Sequence, residues 1–382
     1  MKKLSFLIVP DSFKDCMPAI EVGKNIEKGV REVFKDADIQ VIPMADGGEG
    51  TVDSIVGAIG GDIVPVRVKD ALGRVGDSFF GVINGGKTAV IEMAAASGIE
   101  KLKPEERNPW VTSTYGTGEL IIAALDYGCS EIIVGLGGSA TNDAGMGMAK
   151  ALGIRFYDAA GNELDEGGGT LGSLAVIDIN GLDRRVARTK IVAATDVTSP
   201  LTGKSGASFV FGPQKGASHK IVQNLDENLI NFYGVVDKQF DKNINAIKGV
   251  GAAGGLGAGL YAFLGAEIKP GFETISRLIQ LEKKIKASNI IITAEGKVDG
   301  QTASGKTPAG VGRLALKYNK PVFLFAGNAT SLTQKLYSSG ITSVVPITRK
   351  PVLINEALKN AQGWLQKSAE ELCLIIQSAQ KL

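Results

Sequence analysis

Apolar runs and amphipathic segments alternate regularly at the start of the chain. Residues 4–9 are continuously apolar, which is typical of a strand buried on both faces of a parallel sheet. Apolar positions then recur at helical spacing over residues 26–34, and a second strand is predicted at residues 39–44. A turn at residues 45–50 leads into a helix through Ile59. This order of elements predicts a doubly wound α/β layer.

The same order returns toward the end of the chain. Strands are predicted at residues 289–293, 321–326 and 343–347. Helices are predicted near residues 307–318 and 331–339 and at the C-terminus. The two ends of the chain therefore carry the same type of structure.

The middle of the chain has a different pattern. Over residues 63–93, short β-rich segments alternate with glycine turns, which is typical of antiparallel or mixed sheet. The simplest architecture lets residues 1–62 and 288–382 form one parallel α/β domain. Residues 63–287 are then a second α/β domain of mixed sheet, inserted into the first.

The composition fits a globular protein that binds a small molecule. Gly 50 is a high count for 382 residues, and glycine lets loops approach a ligand closely. Lys+Arg 42 against Asp+Glu 40 gives a net charge of +2, without the basic block that nucleic-acid binders carry. We therefore expect no nucleic-acid partner.

Three further features bear on the cellular compartment. The first apolar run is shorter than the ~7–15-residue core of a signal peptide. Residues 249–266 carry no charge but are too rich in glycine for a membrane helix. Cys16, Cys129 and Cys373 are odd in number and widely spaced, which favours reduced thiols. We expect a cytoplasmic protein that makes no membrane contact.

Charged loops follow three predicted strands of the first domain. They lie at residues 10–15, 45–50 and 294–306. Ligands of open α/β sheets bind beyond the C-terminal ends of the strands. These loops therefore predict a ligand cleft.

The last of these loops contains a formal phosphate-binding pattern. Residues 300–307 read GQTASGKT, which matches G-x-x-x-x-G-K-[ST]. That loop needs a strand that delivers its first glycine directly. The charged residues 294–299 are expected to lie outside the preceding strand, which disfavours a P-loop fold. Pro308 favours a helix that begins near Thr307.

A second glycine-rich loop lies in the inserted region. Residues 135–145 read GLGGSATNDAG, after a predicted strand at residues 131–134 and before a helix from Met146. Glycine-flanked N–H groups at a helix start bind anions, and Ser, Thr, Asn and Asp are equally common there as helix caps. Both interpretations stay open. The embedded G-x-G-x-x-A match to dinucleotide-binding loops is weak, because no convincing acidic residue follows at the required distance.

The chemistry available to the chain points to carboxylates and cations. Asp196 follows an apolar run at residues 191–195, where it can bind magnesium, accept a hydroxyl proton or cap a turn. His219 is the sole histidine and lies in a polar segment. Proton transfer is therefore expected from carboxylates, and charge neutralisation from Lys, Arg and magnesium. This is the profile of phosphoryl transfer.

The ordered motifs together resemble the type I glycerate kinase family over essentially the whole chain. The motifs are PDSFK (residues 10–14), MADGGEGT (44–51), NPWVTSTYGTGELI (108–121), GLGGSATNDAG (135–145), DVTSPL (196–201), FGPQKGA (211–217), GAAGGLGAG (251–259) and AEGKVDGQTASGK (294–306). The resemblance implies ATP- and magnesium-dependent phosphorylation of D-glycerate. It favours 2-phosphoglycerate as the product, with 3-phosphoglycerate as the other possible product. It also implies a flavodoxin-like domain, an inserted α/β domain and an active site in the cleft between them.

Under this resemblance we assign roles to several charged residues. Lys14 and Lys297 are candidates for holding the glycerate carboxylate. Asp196 or Asp299 would accept the proton of the substrate hydroxyl.

The remaining assignments concern magnesium and the nucleotide. Magnesium would be held directly or through water by one of three carboxylates, which are Asp46, Glu49 and Glu295. The ATP phosphates would be bound by residues of the second glycine-rich loop and by one lysine, namely Gly137, Gly138, Ser139, Thr141, Asn142, Asp143 and Lys306.

The sequence departs from the usual family pattern at several motif positions. Ala144 and Ala294 stand where the family usually has Gly, Ser199 where it has Asn, and residues 297–298 read Lys-Val for Arg-Ile. Lys297 keeps the charge but lacks the planar fork of an arginine. The alternatives are a kinase of another small hydroxy acid, a non-catalytic glycerate-binding protein or a dehydrogenase. The protein is expected to be a monomer or a homodimer.

Overall fold

The computed structural model describes residues 3–14, 16–44, 47–298, 307–329 and 334–381. The chain divides into two compact units. Met1–Asp46 and Phe272–Leu382 form the first, which we call the terminal unit, and Gly47–Gly271 forms the second, the central unit. None of the described helices combines the length and apolarity that a membrane crossing requires.

The elements are numbered in chain order. The described strands are β1 Ser5–Pro10, β2 Asp38–Val41, β3 Asp62–Lys69, β4 Val75–Ile83, β5 Thr88–Glu92, β6 Glu131–Gly135, β7 Arg155–Tyr157, β8 Val176–Asp178, β9 Lys190–Ala194, β10 Glu267–Lys269, β11 Ile290–Val298, β12 Val322–Ala329 and β13 Ser343–Pro346. The described α-helices are α1 Ala19–Val33, α2 Thr51–Ile59, α3 Ala94–Ser97, α4 Tyr115–Tyr127, α5 Met146–Ala151, α6 Ala207–Phe211, α7 His219–Phe240, α8 Ala252–Leu264, α9 Gly271–Leu278, α10 Leu281–Ala287, α11 Thr307–Leu316, α12 Gln334–Ser338 and α13 Ile354–Ala379.

The described strands of the terminal unit form a five-stranded sheet. Its order is β13-β12-β11-β1-β2, and every neighbouring pair is parallel. Numbered within this unit the order is 2-1-3-4-5, which is the flavodoxin-like order. Leu7, Ile8, Ile291 and Ile292 are fully buried, and neighbouring residues of a strand point to opposite faces, so both faces are covered. The predicted doubly wound, flavodoxin-like fold of the two chain ends is confirmed.

Strand β11 is longer than its sequence predicts. The charged residues after residue 293 continue the strand, because Lys297 and Val298 pair with Asn328 and Ala329 of β12. The prediction that the strand ends before residue 294 was therefore wrong, and so was the argument it supplied against a P-loop. Residues 299–306 lie outside the described residues, so the GQTASGKT match stays untested.

The central unit contains a mixed sheet, as predicted. Its described strands follow the order β10-β9-β6-β5-β4-β3, in which β5, β6, β9 and β10 are parallel and β4 is antiparallel to both neighbours. Strands β7 and β8 form a separate two-stranded antiparallel sheet. Helices and strands of this unit share one large apolar core.

The break between the units falls before α2, whereas the sequence places it after this helix. Helix α2 packs against β4 and β5 of the central unit. The approach to β4 is close, since a Cβ added at Gly81 would lie 2.9 Å from Val52 Cγ1. The wider domain prediction, with an active site in a cleft between two domains, stays a prediction.

Helix α1 packs tightly against the C-terminal helix α13 in the terminal unit. A Cβ added at Gly29 would lie 2.2 Å from the Gln366 carbonyl oxygen and 2.7 Å from Ala369 Cβ. At Gly363 of α13, an added Cβ would meet no atom within 4 Å. The two glycines therefore differ in what an alanine would contact, although both lie inside helices.

We expect Gly29→Ala and Gly363→Ala to change stability in opposite directions. Overpacking at residue 29 should lower the free energy of unfolding by about 1–3 kcal/mol. At residue 363 the higher helix propensity of alanine should raise it by about 0.5–1 kcal/mol. Urea unfolding of both variants measures the two effects. Equal effects of the same sign would contradict the close packing of α1 on α13.

Candidate functional site

Three parallel strands of the central unit end at the same edge of its sheet. Glu92 of β5 pairs with Gly135 of β6, which pairs in turn with Ala194 of β9. The loop at residues 136–145 follows β6, the middle strand of the three, and Asp196 lies just after β9. Since ligands of such sheets bind beyond the C-terminal ends of the strands, this edge is the candidate site of the central unit.

The loop is ordered by the buried side chain of Asp143. Asp143 Oδ2 accepts hydrogen bonds from Thr114 N–H (2.9 Å), Thr114 Oγ1 (2.8 Å) and Gly147 N–H (3.1 Å), and Oδ1 accepts one from Gly145 N–H (3.1 Å). These bonds use about as many lone pairs as a carboxylate offers. Burial raises the pKa of Asp143, although the donors of Thr114 and Gly147 oppose the shift. Asp143 thus joins the loop to α4 and α5, while its predicted contact with ATP stays a prediction.

Backbone packing accounts for the glycines that begin the loop. A Cβ added at Gly135 would lie 2.2 Å from the Gly47 carbonyl oxygen, and one at Gly137 would lie 2.4 Å from Gly48 Cα. The Gly137 N–H donates to that Gly47 oxygen at 3.0 Å. This N–H is therefore bonded within the protein, and the assignment of Gly137 to the ATP phosphates stays a prediction. Gly138 stays exposed, with φ of 71°.

The motif GAAGGLGAG supports the loop from the other side. Ala253, Gly254 and Gly255 all have left-handed backbone conformations at the start of α8. A Cβ added at Gly254 would lie 1.9 Å from the Thr141 carbonyl oxygen. The Gly254 oxygen accepts a hydrogen bond from Ala144 N–H at 3.1 Å. The glycines therefore permit a close approach that fixes the loop.

Lys215 is a buried cation beneath this loop, and sequence reasoning gave it no role. Its Nζ donates to Ser139 Oγ and to the Thr141 carbonyl oxygen, both at 2.7 Å, and the residue is 2% exposed. Burial lowers the pKa of Lys215 to about 7, and the negative charge of Asp143 acts against that shift. The signal available in the sequence was the FGPQKGA motif, which carries this lysine.

Two other polar atoms of the loop are buried without a partner. Within the described part of the chain, Thr141 Oγ1 and Asn142 Nδ2 have no hydrogen-bond partner. Asn142 Oδ1 accepts a hydrogen bond from Ser208 Oγ at 3.2 Å. Buried polar groups are normally paired, so two unpaired ones on one loop mark it as a functional candidate.

Carboxylates gather near the same edge of the sheet. The buried Glu92 accepts a hydrogen bond from Val52 N–H at 2.6 Å, and burial raises its pKa to about 7. The exposed Glu49 shares a side-chain hydrogen bond with Glu100, which raises the pKa of Glu49 to about 7, with burial and the charge of Glu100 adding to the shift. Sequence reasoning missed Glu92, because its apolar run was interpreted only as part of a mixed sheet. Asp196 lies half-buried just beyond β9.

The other described candidates lie in the terminal unit. Lys14 is exposed and follows β1, while the buried Glu295 and the exposed Lys297 belong to the neighbouring strand β11. A Cβ added at Gly296 would lie 3.2 Å from Phe13 Cα, which shows how closely these segments pack. The strands β1 and β11 form the switch point of a flavodoxin-like sheet, where such folds bind ligands.

The remaining candidates are not part of the described structure. Asp46, Asp299 and Lys306 lie outside the described residues. Among the residues that are described, no three His, Cys, Asp or Glu side chains group as a metal site. The assignment of magnesium to Asp46, Glu49 or Glu295 stays a prediction.

We expect Glu92→Gln to change how stability depends on pH. The Glu92 pKa is about 7 in the folded chain and 4.5 for a glutamate side chain in water, so its contribution to stability is fully present below about pH 4.5 and is lost as pH rises through 7. The amide keeps an acceptor for Val52 N–H without a titrating proton. Between pH 5 and pH 8, the variant should gain about 1–3 kcal/mol of unfolding free energy relative to wild type.

The measurement is urea unfolding at both pH values. The exposed Glu105→Gln serves as the matched control and should follow wild type. An unchanged pH dependence in Glu92→Gln would show that Glu92 does not titrate as described.

Comparison with known proteins gives one consistent result. A model described as the glycerate kinase family matches residues 6–377. The chain is 46% identical over 369 residues to the glycerate 2-kinase of Escherichia coli (strain K12), covering 97% of each protein. It is 43% identical over 371 residues to the glycerate kinase of Halalkalibacterium halodurans, covering 97% of this chain and 98% of the relative.

A solved structure agrees with these relatives. The crystal structure of a protein assigned as a glycerate kinase 2 from Salmonella typhimurium LT2 matches with a TM-score of 0.86 and 44% identity, over 100% of both chains. The match thus spans both the terminal unit and the central unit. The chain therefore belongs to the glycerate kinase family and is a kinase.

Proposed function

We propose that this protein transfers the terminal phosphoryl group of ATP to D-glycerate and releases 2-phosphoglycerate and ADP. The observation that carries the proposal is the nearly full-length similarity to relatives named glycerate kinase, one of them named glycerate 2-kinase. The profile of candidate residues agrees with it, since lysines and carboxylates predominate and the sole histidine lies in a polar segment. Phosphoryl transfer depends on positioning and electrostatics, which such groups supply.

The nucleotide phosphates are assigned to the loop of the central unit. Gly138, Ser139, Thr141 and Asn142 belong to a stretch that Asp143 and Gly254 hold in place. A rigid set of hydrogen-bond donors binds an anion without reorganising. We keep Lys306 as a further candidate for the phosphates.

Glycerate would be bound by a lysine and deprotonated by an aspartate. In this proposal Lys14 or Lys297 holds the substrate carboxylate. Asp196 accepts the proton of the attacking hydroxyl, with Asp299 as the other candidate. A general base of this kind contributes about 10²–10⁴-fold to the rate.

Magnesium would neutralise the charge of the transferred phosphoryl group. Carboxylate oxygens are the ligands that this ion prefers. The neighbouring carboxyl group of Glu100 raises the pKa of Glu49 to about 7, and a cation bound between two such carboxylates would offset their repulsion. The candidates to hold the ion, directly or through water, are Asp46, Glu49 or Glu295. We also keep the cytoplasmic location as part of the proposal.

The regiochemistry has a direct test. The purified protein is incubated with ATP, magnesium and D-glycerate, and the product is detected with enolase, which accepts 2-phosphoglycerate. We expect a full signal without added phosphoglycerate mutase. A signal that appears only with mutase would assign the 3-position, and the absence of ADP release would contradict the proposed kinase.

The same assay separates the alternatives. A substrate panel of small hydroxy acids, monitored by ADP release, detects a kinase of a different acid. Binding of D-glycerate without ADP release would favour a non-catalytic glycerate-binding protein.

We expect Asp196→Asn to lower kcat by at least about 100-fold, because the amide cannot accept the hydroxyl proton. The KM for D-glycerate should change by no more than a few-fold. The exposed Asp165→Asn in the same unit is the matched control and should retain wild-type turnover. Turnover of Asp196→Asn within a few-fold of wild type would exclude Asp196 as the base.

A further inference from the structure

Lys215 is a buried ammonium group whose recorded partners are neutral. Its Nζ donates to Ser139 Oγ and the Thr141 carbonyl oxygen, each at 2.7 Å. The Asp143 carboxylate attracts it, but that carboxylate already accepts four hydrogen bonds from other donors. Burying a charge without a directly bonded counter-charge costs free energy. A buried lysine at this place is therefore a candidate for a functional role.

The hydrogen bond to Ser139 has a direction that chemistry fixes. When Lys215 is protonated its Nζ has donors only, so Ser139 Oγ is then the acceptor. The hydroxyl hydrogen of Ser139 then points to some other acceptor. Within the described residues the structure gives Ser139 Oγ one partner, which is Lys215. Lys215 thus leaves the Ser139 O–H as a donor that needs an acceptor.

Ser139 stands where a ligand can meet it. It is 8% exposed and follows the exposed Gly138 at the tip of the loop. Lys215 itself is 2% exposed and lies beneath that tip. An anion that binds at the tip therefore contacts Ser139 directly and Lys215 only through Ser139.

The loop around Ser139 is held in place on both sides. Ala140 N–H donates to the Ser97 carbonyl oxygen at 2.9 Å, and Thr112 Oγ1 donates to the Ala140 carbonyl oxygen at 2.8 Å. Thr141 and Asn142, which follow, carry the two buried polar atoms that have no partner in the described part of the chain. A rigid loop with unused donors fits an acceptor-rich ligand better than an apolar one.

We propose that Lys215 is a positioning residue for the nucleotide phosphates, which orients the Ser139 O–H toward a phosphate oxygen and strengthens that hydrogen bond through its positive charge. The proposal rests on the proposed function, because it takes the polyphosphate chain of ATP as the anion. It adds a residue and a direction of hydrogen bonding to that site. No covalent step occurs at Lys215 or Ser139.

The test is a double-mutant cycle on phosphate binding that needs no catalysis. Tripolyphosphate and ADP are titrated calorimetrically into wild type, Ser139→Ala, Lys215→Met and the double variant, without glycerate. We expect each single variant to bind about tenfold to hundredfold more weakly, as for a lost hydrogen bond to a charged group. Because Lys215 acts through Ser139, the double variant should bind within about twofold of Ser139→Ala. Adenosine binding should not change.

Matched controls separate this role from a purely structural one. The exposed Lys220→Met removes the same charge from the nearby helix α7 and should bind tripolyphosphate like wild type. Ser139→Ala changes one atom and keeps the test valid if Lys215→Met does not fold. Wild-type affinity in Ser139→Ala would overturn the proposal, and so would losses that multiply in the double variant.

The outcomes also separate this proposal from the proposed function. If wild type phosphorylates glycerate but neither variant weakens ADP binding, the role of Lys215 is wrong and the function stands. If both variants weaken tripolyphosphate binding but glycerate is not phosphorylated, the anion site stands and the function is wrong.

Discussion

The buried carboxylate of Asp143 is the interaction on which the candidate site depends. Its oxygens accept hydrogen bonds from the start of α4 and from the turn into α5, two segments that are distant in sequence. A buried carboxylate without these donors would cost several kcal/mol, so the loop and both helices are stable only together. Glycine is required where other backbone segments close in on this loop, as at Gly137 and Gly254.

Two opposite charges lie at this loop, Asp143 within it and Lys215 beneath it. The Asp143 carboxylate accepts its hydrogen bonds from groups within the protein. Among the residues that the structure describes, Lys215 donates only to neutral oxygens, so its positive charge remains unpaired beneath the exposed tip. Because the charge of Asp143 is turned inward toward hydrogen-bond donors, the positive charge of Lys215 favours an anion at the tip. The terminal unit offers a second set of charges at β1 and β11, in the position where flavodoxin-like sheets bind ligands.

The spacing of apolar residues in the sequence predicted most strands and helices of the terminal unit. Apolar runs identified the strands of the terminal unit, and Pro308 identified a helix that starts at Thr307. The end of β11 was missed, because Glu295 and Lys297 resemble a loop unless the pairing with β12 is known. The hydrogen bonds that Asp143 and Lys215 make within the protein were missed for a related reason. Lys215 contacts Ser139 across 76 residues of sequence, and spacing within a motif does not reveal such a partner.

The central claim is that this loop is a preformed site for the phosphates of ATP. A crystal structure with a non-hydrolysable ATP analogue and magnesium tests it most directly. We predict a phosphate oxygen within about 3 Å of Ser139 Oγ. The hydrogen bond from Lys215 Nζ to Ser139 Oγ should still be present. A nucleotide whose phosphates lie at other residues, with no phosphate oxygen at Ser139, would contradict the account.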